Sequence, residues 1–521
     1  MGSTGLGDYE GIISIIPRKK GTEKIVDAMF SIRDDVIIRA PAGSGKTFVA
    51  VAFAIYEALN NRRTSIFFRT KAEMENALGI AKTIIENAEI NLPDGSIIPL
   101  AGRETMCIFG DKTFKNIPDF ARALYCFVME CPVRFRRVPQ RPSLRTSLRD
   151  YVSFYSGYKA CAYHSLLREA RTAPIIFATH PFLVQDELFR YLGSLDTAII
   201  DEAHALNIIT HSIRREEYRD GSRIAEEVEG DEERGAGRWI LENWAFRRRD
   251  ILVYEKYKYF RSRSGRIIHV GDEVIKVQPP LFLLQQRRSR IRRFVVMSAT
   301  LYPIGMIKKL WGIKRVITIG KLIEPTRNRL YVALVLPGIT TKLERRDSRL
   351  YRAIASLIRF IQSKLPDKLI VVFCVSKDFA KQIADILGKS VVADPNKIKS
   401  IEDNLIITYA RGKLSEGIDA IAGRNPDVVV AVGLPYPAVD KRFLAIAGKA
   451  AEIIGVDKRQ FVRDYMNSEM VGALIQLMGR AGRRKKGACI IIDERAVIFP
   501  SIPFVTNTIS LKDAVRKFFG V

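Results

Sequence analysis

Nowhere in the 521 residues do 18 apolar residues follow one another, so no membrane-spanning helix is expected. The start of the chain offers no secretory leader either. Residues 1–10 are polar and glycine-rich, and the apolar GIISII at 11–16 is too short for a signal core. Cysteine is scarce: six in the whole chain, which without a secretion signal argues against a disulfide framework and leaves metal binding or catalysis as the expected use. Acidic residues are outnumbered, 57 Asp and Glu against 84 Lys and Arg, for a formal net charge of +27. That excess favours polyanionic partners such as nucleic acid or phosphorylated ligands, and says nothing about fold. Internal repeats and low-complexity tracts are absent. With 47% hydrophobic and 27% charged residues the chain reads as folded, and its length calls for about two to four domains.

The most informative stretch is DVIIRAPAGSGKTFVAVAFAIYEAL at 35–59. A short apolar run predicts a buried strand, an amphipathic run from Thr47 predicts a helix, and between them Ala40-Pro41-Ala42-Gly43-Ser44-Gly45-Lys46-Thr47 fits a phosphate loop with alanine for the first glycine. Glycines let backbone N–H groups turn toward a phosphate, and the helix N-terminus adds its dipole. Lys46 is the candidate for the β/γ-phosphates and Thr47 for magnesium. LDTAIIDEAHAL at 195–206 supplies the partner: an apolar strand delivering Asp201, a magnesium ligand, and Glu202, the group that orients or deprotonates the attacking water. His204 is expected to couple this motif to its surroundings. VVMSATL (295–301), GKLSEGID (412–419) and QLMGRAGRR (476–484) follow in order. Arg480 and Arg483, three apart on a probable helix face, suit charge stabilisation on a transferring phosphoryl group.

This ordered set resembles the superfamily 2 helicases, and GKLSEGID, GLPYPAVD (433–440) and QLMGRAGRR resemble the XPD-type branch, over about residues 15–500. The resemblance implies an α/β fold of two RecA-like P-loop motor domains with ATP in the cleft between them. Lys46, Thr47, Asp201 and Glu202 would come from the first, and Gly417, Asp419, Gln476, Arg480 and Arg483 from the second. FFRTKAEM (67–74) is similar to the family's strand-binding motif, through Arg69, Thr70 and Glu73. It further implies an intracellular, monomeric, ATP- and magnesium-dependent DNA helicase working 5′→3′ in repair. Two alternatives stand beside it: a related helicase acting on RNA–DNA hybrids or recombination intermediates, and an ATP-gated, damage-sensing scaffold with little unwinding.

Cys107, Cys126, Cys131 and Cys161 fall between the phosphate loop and the DEAH strand. Four thiolates can close a zinc site or hold a four-iron cluster, and spacing alone leaves both open. GRETMC, CFVMECP and KACAYHSLLREA look like the iron–sulfur insert of XPD-type helicases, which implies a [4Fe–4S] cluster; the four-residue gap between Cys126 and Cys131 and Ala162 in place of the commoner proline depart from that pattern. Behind Cys131, Arg134, Arg136 and Arg137, with Phe135 among them and Arg141, Arg145 and Arg149 beyond, suggest a face for phosphates and bases. Cys374 and Cys489 read as core residues. The arginines at 287–293 either serve the same purpose or simply flank a strand.

The expected layout is a first motor domain at 15–100, 166–205 and 265–320, a cluster insert at 101–165, a short, mainly helical arch-like insert at 206–264, and a second motor domain at 321–521. A hairpin is expected at 266–276 around Gly271-Asp272. The XPD-type arch is usually larger, so the short insert bears on how fully it encloses a strand. Another departure lies at 16–29, where Thr22 or Glu23 stands in place of the family's adenine-reading glutamine.

Overall fold

The computed structural model describes residues 5–18, 21–41, 43–109, 117–128, 131–134, 136–229, 235–244, 246–321, 328–393, 403–410, 426–481, 486–499 and 502–519. Ala42, Phe135, Gly417, Asp419 and Arg483 lie outside them. The chain forms two compact units: 1–298 with 304–319 and 439–462, and 299–303 with 320–438 and 463–521.

The strands of the first unit are β1 (Val36–Arg39), β2 (Thr64–Phe68), β3 (Ile97–Leu100), β4 (Ile175–Thr179) and β5 (Leu195–Ile200). Then come β6 (Ile209–Arg214), β7 (Arg266–Val270), β8 (Glu273–Gln278), β9 (Ile291–Ser298) and β10 (Val316–Thr318). Seven of them form a parallel sheet in the order β10-β1-β9-β5-β2-β4-β3. Near-continuous apolar runs such as TSIFF in β2 and IIFAT in β4, buried along their whole length, are what a sheet covered on both faces requires. Because every strand is parallel, the carboxyl ends of β1, β9 and β5, three neighbours, open on one edge. In α/β sheets that edge is where ligands bind.

Two inserts interrupt the sheet. Between β3 and β4 lie the helices Arg103–Met106, Asp119–Val128, Leu148–Gly157 and Ala162–Glu169. Between β5 and β9 lie β6, the helices Arg215–Glu229, Gly235–Asn243 and Arg248–Arg261, and the hairpin β7–β8, which turns at Gly271 (φ 56°). The hairpin is where the sequence placed it, but β6 is not helical. It pairs antiparallel with β8, giving a small sheet β6-β8-β7, so hairpin and helices form one body. The body has its own core, built on Ile224, Val228, Trp239, Ile251, Tyr254 and Phe260. Leu124, from the other insert, is part of that core.

The second unit holds β11 (Arg329–Leu334), β12 (Ile370–Cys374), β13 (Leu405–Tyr409), β14 (Val428–Val432), β15 (Gly487–Ile492) and β16 (Phe504–Val505). They form a parallel sheet in the order β13-β12-β14-β15-β11-β16. Cys374 and Cys489 are buried in β12 and β15, where burial raises both thiols, Cys489 to about 12, as suits inert core residues. Residues 439–462, kept within 321–521 on the sequence, instead cluster with the first unit. There Arg442 Nε donates to Glu273 Oε2 at 2.8 Å, against the small sheet.

Two of the arginines at 287–293 are stitches, and Arg288, Arg290 and Arg292 are exposed. Arg287 donates to the carbonyls of Leu183 (2.9 Å) and Val184 (3.2 Å), and Arg293 to those of Met29 (2.9 Å) and Ala28 (3.1 Å). Both are buried, and Arg288 pairs with Asp35. Their planar forks tie loops and helix ends to the sheet. No described helix is long and apolar enough to cross a membrane.

Candidate nucleotide site, cysteine cavity and strand groove

The loop after β1 needs its glycines: Gly43 and Gly45 take φ of 79° and 88°, the left-handed region that side chains disfavour. Helix Lys46–Leu59 follows directly, so its first N–H groups face the loop. Lys46 Nζ donates to the carbonyls of Ala40 (2.9 Å) and Pro41 (3.0 Å), which holds the ammonium over the loop. Thr47 Oγ1 donates to Asp201 Oδ2 at 2.7 Å, so the two residues assigned to magnesium meet across 154 positions of sequence. Two oxygen donors, completed by phosphate and water, are the usual protein share of a magnesium site.

Glu202 adopts φ 47°, unusual for a residue with a side chain and of a kind that clusters at functional sites. Ser298, at the end of β9, donates its hydroxyl to Glu202 Oε2 at 3.1 Å. His204 Nδ1 lies 2.9 Å from Ser298 Oγ and 3.1 Å from Glu202 Oε2. Burial and then the neighbouring Glu202 raise Asp201, against the pull of Lys46 and Thr47. Burial raises Glu202 as well, but the hydrogen bonds and charge of His204, with Lys46 and Ser298, outweigh it and hold the carboxylate low. VVMSATL therefore contributes Ser298, a role its sequence alone did not reveal.

Thr22 answers the question left at 16–29. It is buried, and its hydroxyl donates to the carbonyl of Ser44 at 3.1 Å, bracing the phosphate loop from outside. Thr22→Val is expected to raise the KM for ATP about fivefold with little change in kcat, the usual net contribution of one hydrogen bond. Thr22→Ser should restore it. An equal loss with ATP and GTP would place the effect at the phosphates. A loss confined to ATP would overturn this reading.

The four cysteines converge on one cavity together with Arg103, Arg134 and His164. Cys107 ends helix Arg103–Met106, Cys126 sits in Asp119–Val128, Cys131 opens a turn, and Cys161 caps Ala162–Glu169. Burial, then the neighbouring Cys107, Cys131 and Cys126, push the Cys161 thiol up to about 11, against a hydrogen bond at His164. Among the described residues, however, no three Cys, His, Asp or Glu side chains stand close enough to hold one metal ion. Arg134, placed by the sequence on an outward face with Arg136 and Arg137, is turned toward this cavity; Arg136 and Arg137 are exposed.

A larger cavity, about 790 Å³, lies among the first sheet and both inserts. Arg69 and Thr70, the residues of the strand-binding resemblance, are on its wall. Thr70 and Glu73 also form a reciprocal cap on helix Lys71–Asn87, so Glu73 serves the fold. Three tyrosines in this groove each carry a guanidinium: Arg103 at 4.5 Å from the Tyr163 ring centre, Arg190 at 5.2 Å from Tyr191 and Arg263 at 3.8 Å from Tyr259. No sequence signal joined them, because they come from three segments brought together only by the fold. In the second unit, Gln476 lies in helix Lys458–Met478 and Arg480 follows with its side chain buried.

Residues 350–499 match the helicase C-terminal domain family. The ATP-dependent DNA helicase XPD of Sulfolobus acidocaldarius is 23% identical over 535 aligned residues, which cover 88% of this chain and 92% of that protein. Among solved structures, an XPD helicase superposes over 97% of this chain and 100% of its own (TM-score 0.64, 17% identity). S. tokodaii Xpd4 does so over 93% and 99% (TM-score 0.53, 14% identity). The two parallel sheets thus share the fold of XPD-type helicases, and the likeness along most of the chain, with the helicase C-terminal domain at 350–499, supports an ATP-hydrolysing helicase.

Proposed function

We propose that this helicase moves 5′→3′ along single-stranded DNA, unwinds duplexes, and serves DNA repair of the nucleotide-excision kind inside the cell. The observation that carries the strand reading is the groove: a basic, tyrosine-lined channel in the same unit as the nucleotide site. Stacking on aromatic rings and contact with phosphates need no particular base sequence. Polarity and pathway rest on likeness to XPD.

In this reading the loop amides, Lys46 and the helix end bind the triphosphate, while Thr47 and Asp201 hold magnesium. Glu202, kept ionised by Ser298 and His204, takes the proton of the attacking water. Gly417, Asp419, Gln476, Arg480 and Arg483 are assigned by the same likeness to the phosphates from the second motor domain. Cys107, Cys126, Cys131 and Cys161 would hold a [4Fe–4S] cluster. Four thiols line one cavity with Arg103, Arg134 and His164, a donor set open to zinc or a four-iron cluster, and the likeness to XPD favours the cluster. Bound there, such a cluster would tie the segments of the insert together, and Arg103 and Arg134 would offset thiolate charge. Arg136 and Arg137 are left to meet phosphates.

Strand displacement on forked DNA with single 5′ or 3′ tails tests the proposal. Displacement of the 5′-tailed fork, reduced at least about 10²-fold in Lys46→Ala, is expected. ATP hydrolysis without displacement would favour a scaffold, and displacement from 3′ tails alone would overturn the polarity.

A further inference from the structure

The turn between helices Gly235–Asn243 and Arg248–Arg261 exposes more apolar surface than a solvated loop needs. Phe246 is 91% exposed, and Leu241 is 49% exposed on the preceding helix. The backbone N–H groups of Phe246 and Arg247 donate to the Asn243 carbonyl at 3.1 and 2.8 Å. Arg247 pins the turn further, donating to Glu227 Oε1 (2.6 Å) and Asp250 Oδ2 (3.1 Å) while lying over Trp239.

We propose that this tip, formed by Trp244, Phe246, Arg248 and Arg249, is a second contact for single-stranded nucleic acid, outside the groove. The Arg248 guanidinium lies 5.5 Å from the Trp244 ring centre, a planar cation on an aromatic face, and Arg248 and Arg249 are exposed. The nearby acids Glu242 and Asp250 are already paired, with Arg238 (2.8 Å) and Arg247 (3.1 Å). An exposed ring beside cations suits a base and its phosphates. Position favours the same occupant. The helix that begins at Arg248 carries Lys258 and Tyr259 into the groove ten residues on, about 15 Å away at the helical rise. A strand leaving the groove reaches the tip within a few nucleotides. The inference rests on the groove being the strand's path, as proposed above.

Equilibrium binding of two oligonucleotides tests it, one about five nucleotides long that fills only the groove, the other about 15 that can reach the tip. Phe246→Ala should weaken the longer strand about tenfold and leave the shorter unchanged. Arg248→Ala with Arg249→Ala should lower the salt slope for the longer strand by about 1.4. Both sets are exposed and lie on a different segment from the phosphate loop, so basal ATP hydrolysis should stay as in the parent. Tyr259→Ala, in the groove, should weaken both strands. Unchanged affinity and salt slope in the tip variants, with Tyr259→Ala still defective, would overturn the tip contact alone and leave the patch to a protein partner. A neutral Tyr259→Ala would overturn the groove reading and the inference built on it.

Discussion

Glu202→Gln is expected to bind ATP as tightly as the parent and to turn it over about 10²- to 10⁴-fold more slowly, the range of a lost general base. The amide keeps the volume of the carboxylate and can still accept the Ser298 hydroxyl, which now lies 3.1 Å from Oε2. What it cannot do is take a proton. The lysine and the Thr47–Asp201 pair are untouched, so affinity should hold. The surroundings explain why the carboxylate is available for that task. Burial would favour the neutral acid, yet His204 and Ser298 hold Glu202 ionised, while its neighbour Asp201 is driven the other way. Two adjacent acids are thereby set apart by their contacts. Steady-state hydrolysis with and without single-stranded DNA, beside equilibrium binding of a fluorescent nucleotide, measures both quantities. Turnover within tenfold of the parent would remove Glu202 from proton transfer.

Cys126→Ser is expected to empty the insert of iron. Anaerobically purified parent protein should carry about four irons and four sulfides per chain, with broad visible absorbance, and the variant less than one of each. A colourless parent with one zinc per chain would overturn the cluster. The loss should spread beyond metal content. Cys126 lies on helix Asp119–Val128, which also carries Leu124 into the core shared with the neighbouring insert. Binding of a metal group to the folded state alone stabilises it by mass action, so the insert of the variant should melt well before the motor domains. ATP hydrolysis without DNA should survive, since the thiols and the phosphate loop sit on different segments. Strand displacement should not.

The candidate nucleotide site was legible as a set of patterns because its residues lie in short local stretches. A strand, a glycine turn and a lysine at the head of a helix are contiguous, and Asp201 and Glu202 leave the end of another strand. The cysteines were legible as a set, since thiols are few. Ser298 was not assignable, because its meaning is a hydrogen bond to a residue 96 positions away. Strand β6 was hidden for a related reason: ITHSIR buries only Ile209 and Ile213, a four-residue interval that reads as a helix face. Its pairing with β8 decides the matter. Arg134, Arg287 and Arg293 show the limits of counting charge. A guanidinium beside cysteines, or bonded to carbonyls, looks in sequence like one facing solvent.

Leu124 carries one more implication. Each insert is joined to the first motor domain by its own chain ends, and Leu124, packed among Trp239, Tyr254 and their neighbours, closes the seam between the two. The first sheet and both inserts line the groove beside that contact. A strand with a free end can be threaded like a needle, whereas a covalently closed circle has no end to offer. If the strand takes the groove, loading a circle becomes a matter of topology: the apolar contact at Leu124 would have to part and reseal, and its strength would then decide which DNA molecules can be held.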